Sequence, residues 1–210
     1  MQDNNNIYNE IKRRIIELEY QPGQLLNEKK LTEEFKVSRT PIREALLKLS
    51  QKKLVEIVPR VGTIVAQVDI KQIKYIYEVK KNLEALAAEL AAQRATEEEI
   101  AELLEIAGKM ESCDAVAHYR EYIHYDQLFH KVTREASNNP VVIEYLEDLN
   151  AQTARFLRYV QFVVDDPERH NQSIKAIAEA IKNRYSLTAS EEAEKHSIVT
   201  LERLSKMVFQ

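Results

Sequence analysis

Apolar residues recur every three or four positions along most of the chain, which is the period of an amphipathic helix. The first such run places four residues on one face: Ile7, Ile11, Ile15 and Leu18. The turn-forming stretch YQPGQLL (20–26) follows, and a second short helix is predicted over 28–35. A third helix is predicted within KVSRTPIREALLKLS (36–50), with inward positions at Ile42, Ala45, Leu46 and Leu49.

The apolar period changes in LVEIVPRVGTIVAQV (54–68), where it becomes typical of strands. Five apolar residues flank the turn PRVG: Val55, Ile57, Ile64, Val65 and Val68. This stretch is therefore predicted to form two short strands joined by a turn. Three helices followed by a hairpin predict a winged helix-turn-helix domain over 1–68.

The helical period returns at Asp69 and continues to the end of the chain. One long amphipathic helix is predicted from Ile73, Ile76, Val79, Leu83, Leu86 and Leu90. Further helices are predicted over 96–111, 115–136, 140–163, 167–183 and 188–208. Their start signals are a capping box of Thr96 with Glu99, first-turn prolines at Pro140 and Pro167, and Thr188 or Ser190. Residues 69–210 are therefore predicted to be an all-helical bundle, and the fold class is mainly α.

Composition favours a soluble globular protein without a membrane segment. Hydrophobic residues make up 44% and charged residues 30%, and no run of about 18 apolar residues occurs. The N-terminus MQDNNNIYNE lacks the apolar core of a signal peptide. Cys113 is the single cysteine, so no internal disulfide can form. We therefore expect a cytoplasmic location.

Charge is distributed unevenly along the chain. The net charge is −4, but residues 1–66 have 12 Lys and Arg against 9 Asp and Glu, whereas 67–210 have 18 against 25. The N-terminal domain is therefore mildly basic and the remainder is acidic. This asymmetry suits a nucleic-acid partner, although alone it is weak evidence.

Arg39 and Arg43 are the strongest candidates for base contacts. They lie four residues apart, on one face at the start of the third helix, where Ser38 is predicted to cap and Pro41 fits the first turn. In a helix-turn-helix this end of the second helix meets base edges, and the arginine fork matches O6 and N7 of guanine. Arg60, in the hairpin turn, is predicted to reach the adjacent backbone or minor groove. The alternative is solvated surface charge.

The N-terminal domain closely resembles the DNA-binding domain of the GntR family of bacterial transcription regulators. Three stretches carry the resemblance, in order: QPGQLLNEKKL, VSRTPIREAL and PRVGTIV. The resemblance covers about residues 7–68 and implies binding to double-stranded operator DNA. It implies DNA contacts at Lys29, Ser38, Arg39, Thr40, Arg43 and the wing residues Arg60 to Gly62.

The remainder resembles the FCD ligand-sensing domain of the FadR branch of that family. EVKKNLEALAAELAA (78–92) and YDQLFHKVTREASNNPVV (125–142) are the most similar segments. Asp126 and His130, four residues apart on a helix, can share a divalent ion such as Zn²⁺, Ni²⁺ or Mn²⁺, or can form a surface hydrogen bond. By the resemblance, His196 matches the family's last histidine ligand.

The resemblance leaves the fourth metal ligand open, because Ile174 stands where the family usually has a histidine. His170 lies one helical turn earlier on the same face and is the candidate replacement. The alternatives are three ligands plus water, a lost metal site, or a merely polar role for His170 in its helix. His118 and His124 are expected to be ordinary surface or core residues.

The resemblance also implies an effector that is a small organic acid. Lys80 stands where the family usually has an arginine, and Arg155 or Arg158 could supply a second cation, although surface positions are expected for both. The predicted function is a homodimeric repressor released from its operator by such an acid. One alternative is a regulator whose helical domain only dimerises, and another is a metal-dependent hydrolase, for which no HExxH-like or nucleophile motif is present.

Overall fold

The computed structural model describes residues 4–160, 164 and 166–208. The chain forms two compact units. The first comprises Met1–Ile70 with Asn150–Gln161, and the second comprises Lys71–Leu149 with Phe162–Gln210. The chain is mainly helical, as predicted.

The first unit contains three helices and a small sheet in its N-terminal part. The helices are α1 (Asn4–Ile16), α2 (Glu28–Phe35) and α3 (Arg39–Gln51). The strands are β1 (Leu25–Leu26), β2 (Val55–Val58) and β3 (Gly62–Val65), antiparallel in the order β1-β3-β2. The predicted hairpin is therefore β2 and β3. The sequence pattern missed β1 because two residues are too few to show an alternating period.

The predicted inward residues form the core of the first unit. Ile7, Ile11 and Ile15 are fully buried against Ile42, Leu46 and Leu49 of α3. Leu18 is an exception, because α1 ends at Ile16 and Leu18 has a positive φ of 59° in the following turn. Ile57, one of the five apolar residues that flank the hairpin turn, is 51% exposed. This packing fixes which face of α3 is left for solvent.

Two arginines of the segment Asn150–Gln161 belong to the first unit, and each binds an acceptor within that unit. Arg155 is 4% exposed and donates to the carbonyl oxygen of Ala66. Arg158 pairs with Glu17 at 2.6 Å. The surface position expected for Arg155 is wrong, and neither guanidinium lies in the second unit.

The second unit is built from long helices. They are α4 (Ile70–Arg94), α5 (Glu97–Ser112), α6 (Tyr119–Ala136), α7 (Pro140–Tyr159), α8 (Pro167–Lys182) and α9 (Ser186–Val208), with the end of α7 assigned to the first unit. The predicted capping box is present, since Thr96 and Glu99 exchange both hydrogen bonds. α6 begins four residues later than predicted because Asp114 accepts from two amides and holds a turn. The predicted end of α7 at 163 lies outside the described residues.

We searched the described helices for a candidate membrane span and found none. None of them combines the length and the apolarity that a membrane span requires.

Candidate DNA-binding surface and metal centre

The exposed face of α3 presents the side chains that the sequence assigned to DNA. Ile42 and Leu46 are buried on the opposite face, so the helix cannot rotate without exposing them. The predicted contact residues on this face are all exposed: Ser38, Arg39, Thr40 and Arg43. This arrangement gives a short polar and basic row at the N-terminal end of α3.

Ser38 occupies the N-cap position but does not cap the helix. Its backbone is extended, with φ −71° and ψ 175°, yet its side chain makes no capping hydrogen bond. The predicted capping role of Ser38 is therefore wrong, although the helix starts where predicted. Its hydroxyl is exposed and can donate to a phosphate oxygen.

Two basic side chains of this region form exposed ion pairs. Arg43 pairs with Glu28 at 2.9 Å, and Lys29 lies 3.9 Å from Glu33. Exposed pairs of this kind contribute little stability, so either cation can exchange its carboxylate for a phosphate at low cost. Lys29, on α2, precedes the row on α3 in the chain.

The wing presents Arg60 from a strained turn. The amide of Val61 donates to the carbonyl oxygen of Val58 at 3.1 Å, Pro59 comes second, and Arg60 has a φ of 66°. These are the features of a type II turn, whose third position normally holds glycine or asparagine. Gly62 has a φ of 125°, and a Cβ there would lie 3.3 Å from Leu25 Cδ1. Arg60 is exposed at the tip of the hairpin, and its positive φ costs conformational free energy.

Replacing Arg60 by glycine is expected to stabilise the fold and to weaken DNA binding together. Glycine adopts positive φ without steric cost, so we expect a gain of about 1 kcal/mol in the free energy of unfolding. Loss of a cation at the wing should weaken DNA binding and reduce its salt dependence. Denaturant unfolding and fluorescence anisotropy with labelled DNA measure the two quantities. Unchanged DNA affinity would contradict the role of Arg60, and Arg60→Asn is the control that keeps a side chain.

The second unit brings three predicted metal ligands into one cluster. Asp126 of α6, His170 of α8 and His196 of α9 each offer one ligand atom, all within 4.8 Å of one another. His170 Nε2 lies 2.8 Å from Asp126 Oδ1. The ring centroids of His170 and His196 are 4.8 Å apart. We call these three residues the metal cluster.

His170, and not residue 174, enters the metal cluster from α8. Ile174 is fully buried, as are Ile177 and Ile181 on the same helix face. Asp166 accepts a hydrogen bond from the amide of Arg169 and fixes the start of α8, so that His170 falls in its first turn. His170, one helical turn before Ile174, is therefore the residue of α8 that lies in the metal cluster.

His130 lies at the edge of the metal cluster. Its Nε2 is 3.9 Å from Asp126 Oδ1, and its ring centroid is 5.2 Å from that of His196. Its Nδ1 is 3.6 Å from Glu84 Oε2, which is longer than a hydrogen bond. A rotation of the imidazole would be needed before His130 could become a fourth ligand. The other two histidines, His118 and His124, are exposed on the surface as expected.

Ser173, which was not among the predicted site residues, orients His196. Its Oγ donates to the carbonyl oxygen of His170 at 2.7 Å and lies 2.7 Å from His196 Nδ1. Because the single hydroxyl proton is used, His196 Nδ1–H donates to Ser173 Oγ, and Nε2 retains its lone pair for a metal. The available signal was a serine three residues after a candidate ligand, within the same helix.

The protonation states of the metal cluster suit a cation. Burial raises the pKa of Asp126, but the hydrogen bond and charge of His170 and the charges of the other histidines outweigh it and lower that pKa. Burial, together with the charges of His170 and His130, lowers the pKa of His196 well below its usual value. Asp126 is therefore ionised and His196 neutral at pH 7, which are the forms that bind metals.

The three ligand atoms, which lie within 4.8 Å of one another, would have to move to close around an ion. In a tetrahedral zinc site the ligand atoms are about 3.3 Å apart, so the 2.8 Å contact of Asp126 with His170 must open by about half an ångström. One carboxylate and two imidazoles leave at least one position for water or an exogenous ligand. The donor set fits Zn²⁺, Ni²⁺ and Mn²⁺ alike.

A buried ion pair lies beside His130. Lys80 Nζ is 3.8 Å from Glu84 Oε1, and both side chains are buried. Burial raises the pKa of Glu84, but the positive charges of His130, Lys80 and Arg134 outweigh burial and lower that pKa. The predicted effector cation Lys80 therefore already faces a carboxylate. Glu84 was not predicted as a site residue, because a glutamate within a helical stretch is usually exposed to solvent.

Comparisons with known proteins identify both units. The family description "FCD domain" matches residues 75–198, and "Bacterial regulatory proteins, gntR family" matches residues 4–65. The chain belongs to the GntR family. The GntR regulator is 32% identical over 162 residues to the uncharacterised HTH-type transcriptional regulator YdhC of Bacillus subtilis, covering 75% of this chain and 70% of the relative.

A second curated relative and a solved structure agree with that assignment. The GntR regulator is 28% identical over 178 residues to the gluconate operon transcriptional repressor of Bacillus licheniformis, covering 79% of this chain and 73% of that protein. Its fold matches the structure of E. coli McbR/YncC with a TM-score of 0.82 at 23% identity, covering 98% and 99% of the two chains. The chain is therefore a transcriptional regulator and not an enzyme, and the hydrolase alternative is set aside.

Proposed function

We propose that this GntR regulator is a homodimeric repressor that a small organic acid releases from its operator. Residues 1–68 bind DNA, and residues 69–210 sense the acid and dimerise, in the bacterial cytoplasm. The observation that carries the proposal is the presence in one chain of the basic row on α3 and the metal cluster, whose two histidines are buried. Repression is the direction supported by the relative named as a repressor.

DNA binding is assigned to the N-terminal end of α3. Arg39 and Arg43 point from one helix face, so both can enter the major groove together and read guanines through bidentate hydrogen bonds. Ser38, Thr40, Lys29 and the wing residues Arg60 to Gly62 contact phosphates and sugars, which fix the register of α3 on the duplex.

The acid is assigned to the metal cluster. Asp126, His170 and His196 would hold Zn²⁺, Ni²⁺ or Mn²⁺, with His130 as the candidate fourth ligand. The bound ion would supply a Lewis-acidic position that accepts a carboxylate oxygen. Lys80 adds positive charge beyond His130, although Glu84 offsets most of it.

Homodimerisation is supported by exposed apolar side chains on α4 and α7. Tyr75 is 64% exposed and Tyr145 61% exposed, and neighbouring apolar positions on the same helices are Val79, Leu86 and Val141. Burying such residues between two copies would lower the free energy of the pair. Light scattering should give twice the monomer mass of 24.4 kDa. A monomer at micromolar concentration would contradict this part of the proposal.

Induction requires that the acid bind the DNA-free form more tightly than the DNA-bound form. A coupling of about 1–3 kcal/mol corresponds to roughly 5–150-fold in operator affinity. The direct test is operator binding by the metal-loaded protein during titration with a panel of small carboxylates. Release by at least one acid, lost on metal removal, supports the proposal. Operator affinity that ignores every acid and every metal would instead favour a purely dimerising second domain.

Replacing Ser173 by alanine is expected to weaken metal binding by about 10–100-fold. The physical reason is that His196 would lose the acceptor for its Nδ1 proton and the constraint on its ring. Competition with a fluorescent chelator measures the affinity. Ser112→Ala is the matched control, because Ser112 Oγ likewise donates to a helix carbonyl oxygen, that of Gly108, but lies on α5 outside the metal cluster. Equal metal affinity in both variants would remove Ser173 from the site.

A further inference from the structure

Leu47 is the one large apolar residue on the exposed face of α3, and it is 53% exposed. The other exposed positions of this helix are polar or charged: Arg39, Thr40, Arg43, Glu44, Lys48 and Gln51. A single exposed leucine is common on protein surfaces, so exposure alone assigns no role to Leu47. Its place in the helix is what distinguishes it.

The core of the first unit holds Leu47 in this outward position. Ile42, Leu46 and Leu49 of α3 are fully buried, and Leu47 lies outside that core among the residues that the structure describes. Turning Leu47 inward would expose part of this apolar surface to water, which opposes the rotation. Leu47 therefore stays on the face of α3 that is assigned to DNA.

Leu47 lies one helical turn after Arg43 and continues the row on α3. Residues four apart share a helix face and are separated by about 6 Å along the helix axis. Successive base pairs are about 3.4 Å apart. When Arg43 reads a guanine, Leu47 therefore lies within about two base pairs of that guanine.

The major groove offers one apolar group to such a side chain. Thymine presents its 5-methyl group there, whereas the other bases present hydrogen-bond donors and acceptors. A leucine can neither donate nor accept, so it would leave those polar groups unpaired if it covered them. Contact with the methyl group instead removes apolar surface of both partners from water.

We propose that Leu47 is a specificity-determining residue that contacts the 5-methyl group of a thymine beside the guanine read by Arg43. This inference rests on the proposed assignment of α3 to DNA. It adds a base pair that is read through its methyl group and not through hydrogen bonds. The operator should therefore carry a thymine within about two base pairs of that guanine.

The test removes a single methyl group from the DNA. The full-length protein selects the operator from a random pool, and the guanine is located as the base whose preference is lost in Arg43→Ala. Uracil, which differs from thymine only by the missing methyl group, then replaces each nearby thymine in turn. Fluorescence anisotropy measures the affinity of the wild type and of Leu47→Ala for each operator.

The expected result is a coupling between Leu47 and one thymine. Uracil at that position should weaken binding by the wild type about fourfold, which corresponds to one buried methyl group. The same replacement should leave the affinity of Leu47→Ala unchanged, because the partner of the methyl group is already gone. Leu47 is exposed and alanine favours helices, so this variant is expected to fold.

Lys48→Ala is the matched control, because Lys48 is the exposed neighbour of Leu47 on α3. This variant keeps Leu47, so uracil should still weaken its binding about fourfold, whatever its overall affinity. A methyl effect that Lys48→Ala also abolishes would overturn the inference, since the effect would then not depend on Leu47.

Equal losses in the wild type and Leu47→Ala at every thymine would also overturn the inference, as would an operator without thymine near that guanine. The proposed function fails separately, because it requires that the double variant Arg39→Ala, Arg43→Ala lose operator affinity. Failure of the wild type to select any operator would overturn both proposals.

Discussion

Replacing Arg39 and Arg43 together by alanine is expected to lower operator affinity by about 2–4 kcal/mol, or roughly 30- to 1,000-fold. Each arginine that reads a guanine contributes about 1–3 kcal/mol, and the two sites are neighbours whose effects need not add. Both side chains are exposed, whereas the core face of α3 is formed by Ile42 and Leu46, so folding should be unaffected. DNA selected from a random pool by the wild-type protein provides the operator, and anisotropy measures binding.

The variant Arg39→Lys, Arg43→Lys separates base reading from charge. Lysine keeps the positive charge but has no planar fork, so specific affinity should fall while affinity for unrelated DNA stays close to that of the wild type. In the double alanine variant both affinities should fall, and the salt dependence should become shallower. Wild-type operator binding by the double alanine variant would show that α3 does not read this DNA.

The helices and the hairpin of β2 and β3 could be predicted from the sequence, and the two-residue strand β1 could not. The helices of both units have enough turns for a buried stripe, as Ile7, Ile11 and Ile15 show in α1. Strand β1 has two residues and depends on pairing with β3, which only the folded chain supplies. Helix starts were predictable where one side chain caps, as Thr96 does, and less so at α6, where Asp114 first holds a turn.

The candidate metal site was partly predictable for a different reason. Asp126 and His130 are neighbours on one helix, so their spacing alone suggested a shared ion, yet the structure places His170 and not His130 closest to Asp126. Which histidine lies closer to Asp126 depends on how α8 packs against α6, and the sequence does not contain that information. Ser173 and Glu84 were missed because serine and glutamate are common on helix surfaces. Burial distinguishes Glu84, and the contact with His196 distinguishes Ser173.

Removing His170 is expected to abolish metal binding by the purified protein. The wild type should hold about one ion per chain, and His170→Ala should weaken affinity by at least about 100-fold, because it removes one of three ligands in the metal cluster. Elemental analysis after dialysis against a weak chelator measures occupancy. His124→Ala is the matched control, since His124 is exposed on α6 outside the cluster. Full occupancy in His170→Ala would exclude the shifted ligand.

Thermal unfolding supplies an independent readout of the same site. An ion present at one hundred times its dissociation constant stabilises the folded state by about 2.7 kcal/mol, which raises Tm by several degrees in a chain of this size. The rise should be absent in His170→Ala and present in His124→Ala. A rise of equal size in both would mean that the ion binds elsewhere.

The pH dependence of metal affinity decides whether His130 is the fourth ligand. Burial lowers the pKa of His130, but the charges of Glu84 and Asp126 outweigh burial and raise that pKa above its usual value near 6.5. A ligand must be neutral, so an ion that recruits His130 displaces a proton, and its affinity falls about tenfold for each pH unit below the raised pKa. In His130→Ala the fall in metal affinity that is due to protonation of His130 should disappear. The variant should bind the ion more weakly, and its affinity should change less with pH. An unchanged pH profile in His130→Ala would leave Asp126, His170 and His196 as the complete protein ligand set, with solvent or the acid in the fourth position.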